Sequence, residues 1–199
     1  MRKLVPLIDN GHGKNTKGKC SPDKSIYEWE YTREIACRLY EKLLLEGIEA
    51  ILLVPEEKDI SLSERVRREK KLTREAKKAG KETCLFSIHL NAAGGDGKWK
   101  SANGFTVWIA QSASEDSKKL AQITYNEAEA RGLQGNRSVP TNKYWVANYT
   151  IVTETSCPAV LTENLFQDNK DDVAYLLTEE GKNTIVDIHL QAIKKYINS

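Results

Sequence analysis

Two histidines and two glutamates in this chain are of the types that bind a metal ion and use it for hydrolysis. His12 lies between two glycines directly after an apolar segment, and His89 and Glu163 each end an apolar segment of their own. Glu28 falls in the first turn of a predicted helix. Two histidines and one carboxylate are the ligands of a hydrolytic zinc site that keeps its fourth position for water. We therefore predict His12, Glu28 and His89 as zinc ligands and Glu163 as the general base.

Other interpretations of these residues stay open at this point. A histidine beside glycines is more often an ordinary loop residue than a ligand, and Glu163 could instead form an ion pair with a lysine or arginine. Glu30 shares a helical turn with Glu28 and competes with it as the ligand, while Glu154 competes with Glu163. The spacing favours a metal site, although clusters of ionisable groups also occur for structural reasons. His189 lies far from any glycine loop or strand end and is predicted to be a surface or packing residue.

Short apolar segments alternate with helical patterns along the whole chain, and this order predicts an α/β fold. Large apolar residues at four-residue spacing, from Tyr27 to Leu43, mark the first helix. We predict a single layered domain over residues 1–199, with a twisted, mostly parallel sheet and helices on both faces. Its predicted strands are 4–8, 48–55, 84–88, 105–110 and 158–162, with a further short strand beginning at Ile151 and Val152.

Capping residues indicate where the other helices begin. Residues 61–64, Ser-Leu-Ser-Glu, form a capping box that opens a highly charged helix. Ser114, Asn169 and Thr178 can cap three more helices. Glutamates interrupt the basic run at residues 65–71, which favours a solvated helix face over a nucleic-acid patch.

The stretch from Gly132 to Tyr149 is long, irregular and polar, and it carries Tyr144 and Trp145. Aromatic rings offer apolar area with a polar edge, which suits a mixed sugar and peptide ligand. We predict that this stretch lines the groove that receives the substrate. Packing of Trp145 in the core is the alternative.

The composition argues against several classes of protein. With 30 basic and 28 acidic residues the net charge is +2, which disfavours a dedicated nucleic-acid binder. No apolar run is long enough to span a bilayer. The apolar part of the N-terminal segment is too short for a signal peptide, so export would use another route or follow removal of a signal.

The four cysteines form no Cys-x-x-Cys pair, so a cysteine zinc site is not expected. Cys37 lies in a helical pattern and Cys84 in a strand pattern, and both are predicted to be buried. Cys20 and Cys157 could pair in an oxidising compartment, but free thiols are the favoured prediction.

Several segments resemble the motifs of a known enzyme family, in the order in which that family has them. Residues 9–13, Asp-Asn-Gly-His-Gly, resemble the opening Asp-x-Gly-His-Gly motif of the zinc-dependent N-acetylmuramoyl-L-alanine amidases of the amidase-3 family. Residues 28–39 look like its second motif, in which a glutamate opens the first helix. Residues 87–92 are close to its Ser-Ile-His-x-Asn-Ala motif, and residues 62–65 resemble the preceding helix. Residues 158–163 are similar to its last motif, which ends in the catalytic glutamate.

The resemblance implies a zinc-dependent peptidoglycan hydrolase with a phosphorylase/hydrolase-like fold. Such an enzyme cleaves the amide between N-acetylmuramic acid and the L-alanine of the stem peptide, at the cell wall or in the periplasm. Without an evident occluding helix or wall-binding repeat, the chain resembles an endolysin or a bare catalytic domain. Asp9, Asn10 and Asn91 are candidates for groups that support the ligands or touch the substrate.

Two departures from the family pattern bear on substrate detail. Asn164 and Leu165 stand where the family usually has a small pair such as Gly-Gly, and Asn10 stands where it usually has proline. Two other functions remain open: a zinc peptidase that cuts within the stem peptide, and a non-catalytic wall-binding protein.

Overall fold

A computed structural model describes residues 2–135 and 138–199. Among the described helices, none combines the length and the apolar content that a bilayer crossing requires. The elements in chain order are β1 (Leu4–Asn10), α1 (Glu28–Leu45), β2 (Ile51–Leu52), α2 (Leu62–Lys78), β3 (Glu82–Asn91), β4 (Thr106–Ile109), α3 (Glu115–Glu129), β5 (Trp145–Val146), α4 (Thr150–Thr153), β6 (Ala159–Phe166), α5 (Lys170–Leu176) and α6 (Glu179–Ile197).

The strands form one sheet in the order β2-β1-β3-β6-β4-β5. β1 pairs in parallel with β2 and β3, and β3 pairs in parallel with β6. β4 runs antiparallel to β6 and parallel to β5. The predicted mostly parallel sheet is confirmed. Its central strands are continuous apolar runs because both of their faces are covered.

Two apolar cores lie on opposite faces of this sheet, since successive side chains of a strand alternate between faces. Ile8 and Phe86 belong to the core that α1, α3 and α6 cover, whereas Leu7 and Leu85 belong to the core that α2 and α4 cover. Burying a side chain of this size contributes roughly 1.5–3 kcal/mol. Helices therefore cover both faces, as predicted. On the face that α2 covers, the apolar residues give way to polar residues toward the carboxyl ends of the strands.

The predicted helix caps are confirmed. The side chains of Ser61, Ser114 and Thr178 each accept a hydrogen bond from the backbone N–H three residues on. Asn169 accepts from two backbone N–H groups at the start of α5. These contacts satisfy N–H groups that have no partner inside the helix, so each helix begins next to its predicted cap.

Several local predictions were wrong. Ile151 and Val152 lie in α4 and not in a strand, because a single helical turn buries both of them against α2 and β6. Cys37 is exposed on the outer face of α1, although Cys84 is buried as predicted, and all four cysteines are free. Arg65 does not belong to a solvated face: it is 3% exposed, because α2 turns it toward the sheet.

His189 is a packing residue in the middle of α6 and is fully buried. Its Nδ1 donates to the carbonyl of Ile185 at 2.8 Å, and its Nε2 accepts from Thr162 Oγ1 at 2.9 Å. The ring packs edge-on against Phe86. Burial lowers the pKa of His189 to about 4, so the ring is neutral when the protein is folded.

We expect this histidine to make the fold sensitive to acid. Between a pH of about 6.5 and about 4, the imidazole takes up a proton in the unfolded chain but not in the folded chain. Protonation therefore favours the unfolded chain, and the free energy of unfolding falls as the pH falls through this range. A shift of this size corresponds to about 3 kcal/mol in the free energy of unfolding. His189→Asn keeps a donor for Ile185 but does not titrate. Urea unfolding of the metal-free proteins should show a steeper loss with falling pH for the wild type, and equal slopes would contradict the prediction.

Candidate metal centre and active site

The carboxyl ends of β1, β3 and β6 bring polar side chains to one face of the sheet. The register pairs Asp9 of β1 with Ser87 of β3, and His89 of β3 with Glu163 of β6. Residues two positions apart on a strand share a face, so Ser87 and His89 project to the same side. The predicted base thus lies directly beside one predicted metal ligand.

His12 follows β1 in a loop that requires both of its glycines. The backbone of His12 is left-handed, with a φ of 60°. A Cβ on Gly11 would lie 2.5 Å from Nδ1 of His89, and a Cβ on Gly13 would lie 2.0 Å from the backbone nitrogen of Asp59. Glycine removes both clashes. The rings of His12 and His89 can therefore approach with their centroids 5.2 Å apart.

Glu28 is the first residue of α1, and its carboxylate lies between the two histidines. Oε1 is 3.1 Å from Nδ1 of His89, and Oε2 is 3.4 Å from Nε2 of His12. The backbone N–H of Leu90 and the side-chain amide of Gln167 also donate to this carboxylate. Burial alone would raise the pKa of Glu28, but the hydrogen bonds from both histidines lower it well below its usual range. The carboxylate is thus ionised, as a metal ligand must be.

The three residues fit a metal ion by position and by chemistry. One ligand atom from each of His12, Glu28 and His89 can be chosen so that all lie within 4.8 Å of one another. Two imidazole nitrogens and a carboxylate oxygen form a donor set typical of catalytic zinc. The structure brings the predicted ligands together, and the nitrogens that face Glu28 are Nε2 of His12 and Nδ1 of His89.

Glu163 lies beside this group and has a different environment. Its Oε2 is buried and has no hydrogen-bond partner within the described ranges. Burial raises the pKa of Glu163 to about 7, against the opposing effect of His89. A carboxyl group with a pKa near neutrality can both accept and release a proton under ordinary conditions. The pKa of Glu28 is therefore lowered and the pKa of Glu163 is raised, although both residues line the same cleft.

The backbone after Glu163 is irregular. His89 pairs with Glu163 but Asn91 pairs with Phe166, so β6 carries an extra residue at this point. Leu165 in this bulge has a φ of 68°, a conformation that favours glycine. Leu165 is one of the two residues that depart from the small pair usual in the resembled family. It therefore stands where a glycine would adopt the backbone conformation without strain.

A cleft of about 470 Å³ opens over the four residues. Its wall is formed only in part as the sequence predicted: Asn148 and Tyr149, at the end of the predicted stretch, line the cleft, but Tyr144 and Trp145 do not. Tyr144 is buried, and Trp145 packs against Trp108 and Tyr125. The other residues that line the cleft are Lys19, Leu62, Leu90, Asn91, Ala92, Thr150, Ile151 and Leu161. Residues 136 and 137 of the predicted stretch lie outside the described residues.

The competing candidates lie elsewhere. Glu30 and Glu154 are exposed, and neither lines the cleft. Asn10 is buried, and with its amide oriented to satisfy its neighbours it donates to Val54 and accepts from Arg33. Asn91 does line the cleft. Sequence reasoning did not find Gln167 or Lys19, because neither belongs to a periodic pattern or a recognised motif.

This chain is similar to known proteins over almost its whole length. A family model described as N-acetylmuramoyl-L-alanine amidase matches residues 7–195. The endolysin of Bacillus phage SPP1 is 27% identical over 198 residues, covering 100% of this chain and 67% of its own. The amidase CwlM of Bacillus licheniformis is 28% identical over 194 residues, covering 96% and 68% respectively. The chain thus spans about two thirds of the length of these relatives.

Solved structures show the same fold. The crystal structure of an N-acetylmuramoyl-L-alanine amidase from Clostridium difficile 630 superposes with a TM-score of 0.82. It is 24% identical in sequence, and the match covers 100% of this chain and 99% of that one. At this identity the likeness establishes the fold.

The packing of Trp145 leads to a prediction. Trp145→Ala should lower the free energy of unfolding by about 3 kcal/mol, because it empties space between Trp108 and Tyr125. Tyr149→Ala is the comparison variant, since Tyr149 is 39% exposed in the cleft wall and contacts Trp108 from one side only, so its loss should cost less stability than that of Trp145. Thermal melting and zinc binding of both variants are to be measured. A Trp145→Ala protein with an unchanged melting temperature would contradict this interpretation.

Proposed function

This chain belongs to the N-acetylmuramoyl-L-alanine amidase family, and we propose that its cleft hydrolyses the amide between N-acetylmuramic acid and the L-alanine of the stem peptide. The observation that carries the proposal is the convergence of His12, Glu28 and His89 beside Glu163. A non-catalytic wall-binding protein would be expected to have lost a ligand or the base, and all four positions hold functional groups. That residues 1–199 form one catalytic domain stays a prediction.

We propose zinc as the metal and His12, Glu28 and His89 as its protein ligands. The donor set supports zinc, since hydrolytic zinc sites combine two histidines with one carboxylate and keep a position open. When bound, zinc would lower the pKa of a water molecule and polarise the substrate carbonyl. The backbone N–H of Leu90 and the side-chain amide of Gln167 donate to the carboxylate of Glu28 and hold it in place, which supports Glu28 as a ligand.

Glu163 is the proposed general base and acid. Its carboxylate takes a proton from the attacking water as the oxygen forms a bond to the carbonyl carbon. The same proton then passes to the L-alanine nitrogen as the carbon–nitrogen bond breaks, which releases the lactyl group as a carboxylic acid and the stem peptide as a free amine. The acid then gives up its proton, so that the final products are a carboxylate and an ammonium group. The raised pKa of Glu163 supports both transfers near neutral pH.

The cleft walls are proposed to orient the substrate at the cell wall. Lys19 brings a cation to the lining of the cleft, which suits the carboxylates of the stem peptide. Tyr149 lines the cleft with a partly exposed ring that packs against Trp108, which suits the apolar face of a sugar or a peptide side chain. Asn91 adds hydrogen-bonding groups to the same lining.

We expect Glu163→Gln to bind zinc normally and to lose about a hundred- to ten-thousand-fold in turnover, because the amide keeps the shape but cannot accept the proton. The assay digests peptidoglycan and uses mass spectrometry to measure released stem peptides that begin with a free L-alanine. Zinc content and melting temperature are measured on the same samples.

Glu154→Gln provides the matched control, since it makes the same change at an exposed position outside the cleft. It should retain wild-type turnover. Near-normal turnover of Glu163→Gln with a lowered melting temperature would disprove the catalytic role. Products cut within the stem peptide would instead indicate a peptidase.

A further inference from the structure

We propose that a buried chain of hydrogen bonds, Arg65–Asp9–Ser87–His89, positions both histidine ligands and fixes which nitrogen of His89 faces the metal. The inference rests on the proposed metal site and assigns Arg65, Asp9 and Ser87 to it as positioning residues. All three side chains are almost fully buried, with exposures of 3%, 1% and 0%.

The two nitrogens of His89 face different partners. Nδ1 lies 3.1 Å from Oε1 of Glu28, and Nε2 lies 3.2 Å from Oγ of Ser87. Oγ of Ser87 also lies 2.6 Å from Oδ2 of Asp9. An ionised carboxylate only accepts hydrogen bonds, so Ser87 donates its proton to Asp9 and is left as an acceptor toward His89.

This direction of donation determines how His89 can bind a metal. Nε2 must carry a proton in order to donate to Ser87. A metal ion can therefore take the place of the proton on Nδ1, the nitrogen that faces Glu28, while Nε2 stays protonated. A histidine ligand that donates its other N–H to a fixed acceptor is held in orientation and made more basic.

Arg65 connects this chain to the other histidine. Its Nη1 donates to Oδ1 of Asp9 and to the carbonyl of Asn10, both at 2.6 Å, and its Nη2 donates to the carbonyl of His12 at 3.2 Å. Its Nε donates to the carbonyl of Ile60, and its Nη2 also donates to Oδ1 of Asp59. One buried guanidinium thus balances the charge of Asp9 and holds the left-handed backbone of His12.

The register of the sheet places the members of this chain in sequence. β1 and β3 pair Asp9 with Ser87 directly, and Ser87 and His89 lie on one face of β3. α2 packs over the same face and supplies Arg65. The first histidine is therefore held through its backbone and the second through its side chain, by groups that are almost fully buried.

The test is zinc affinity, measured by competition with a chelator. Ser87→Ala removes only the hydroxyl and should weaken zinc binding by about 10- to 100-fold. Ser117→Ala is the matched control, since it removes another buried serine hydroxyl on α3, away from the cleft, and should leave the affinity unchanged. Asp9→Asn, which presents an amide to Ser87, should weaken binding in the same direction and is the second variant.

A spectroscopic measurement separates positioning from general destabilisation. In the zinc-loaded wild type, the Nε2 proton of His89 should give a slowly exchanging NMR signal, which Ser87→Ala should lose. Either wild-type zinc affinity or a retained Nε2 signal in Ser87→Ala would overturn the inference. His12→Ala separates failure of the metal site from failure of the positioning chain. If His12→Ala keeps full zinc affinity, the proposed metal site is wrong. If His12→Ala loses zinc but Ser87→Ala keeps wild-type affinity, only the positioning chain is rejected.

Discussion

The parallel register of β1, β3 and β6 is the constraint on which the site depends. It sets Asp9 beside Ser87 and His89 beside Glu163, all on the face that α2 and α4 cover. A slip of one residue would turn every side chain of a strand to the other face. The apolar residues nearer the amino ends of the same strands, such as Leu7 and Leu85, prevent that slip because they are fully buried. The buried core therefore fixes the positions of the polar side chains that follow it along each strand.

Electrostatics then shift the pKa values of two neighbouring carboxyl groups in opposite directions. Glu28 receives hydrogen bonds from two histidines, an amide and a backbone N–H, which keep it ionised despite its burial. Glu163 has a buried oxygen with no partner among the described residues, and its pKa is raised. Environments that push the pKa values of two titratable groups apart mark one as a fixed charge and the other as a proton carrier. This contrast supports Glu28 as ligand and Glu163 as base.

The sequence predicted the layered sheet and the caps because burial and capping leave periodic, local signals. It also predicted that His12, Glu28, His89 and Glu163 would lie together, since three of them end or follow apolar segments of the sequence and Glu28 opens a helix. It failed where the deciding contacts are distant in sequence. The inward turn of Arg65 depends on Asp9, fifty-six positions away, and a short apolar pair such as Ile151 and Val152 does not distinguish a strand from a helical turn. The packing of Trp145 likewise depends on Trp108 and Tyr125, which no local pattern connects to it.

The central claim is that His12, Glu28 and His89 hold one zinc ion beside Glu163. Crystals of the zinc-loaded protein, with anomalous diffraction collected at the zinc absorption edge, test it most directly. The account predicts a single strong peak about 2.0–2.2 Å from Nε2 of His12, a carboxylate oxygen of Glu28 and Nδ1 of His89. A peak at another place, or coordination of His89 through Nε2, would contradict it.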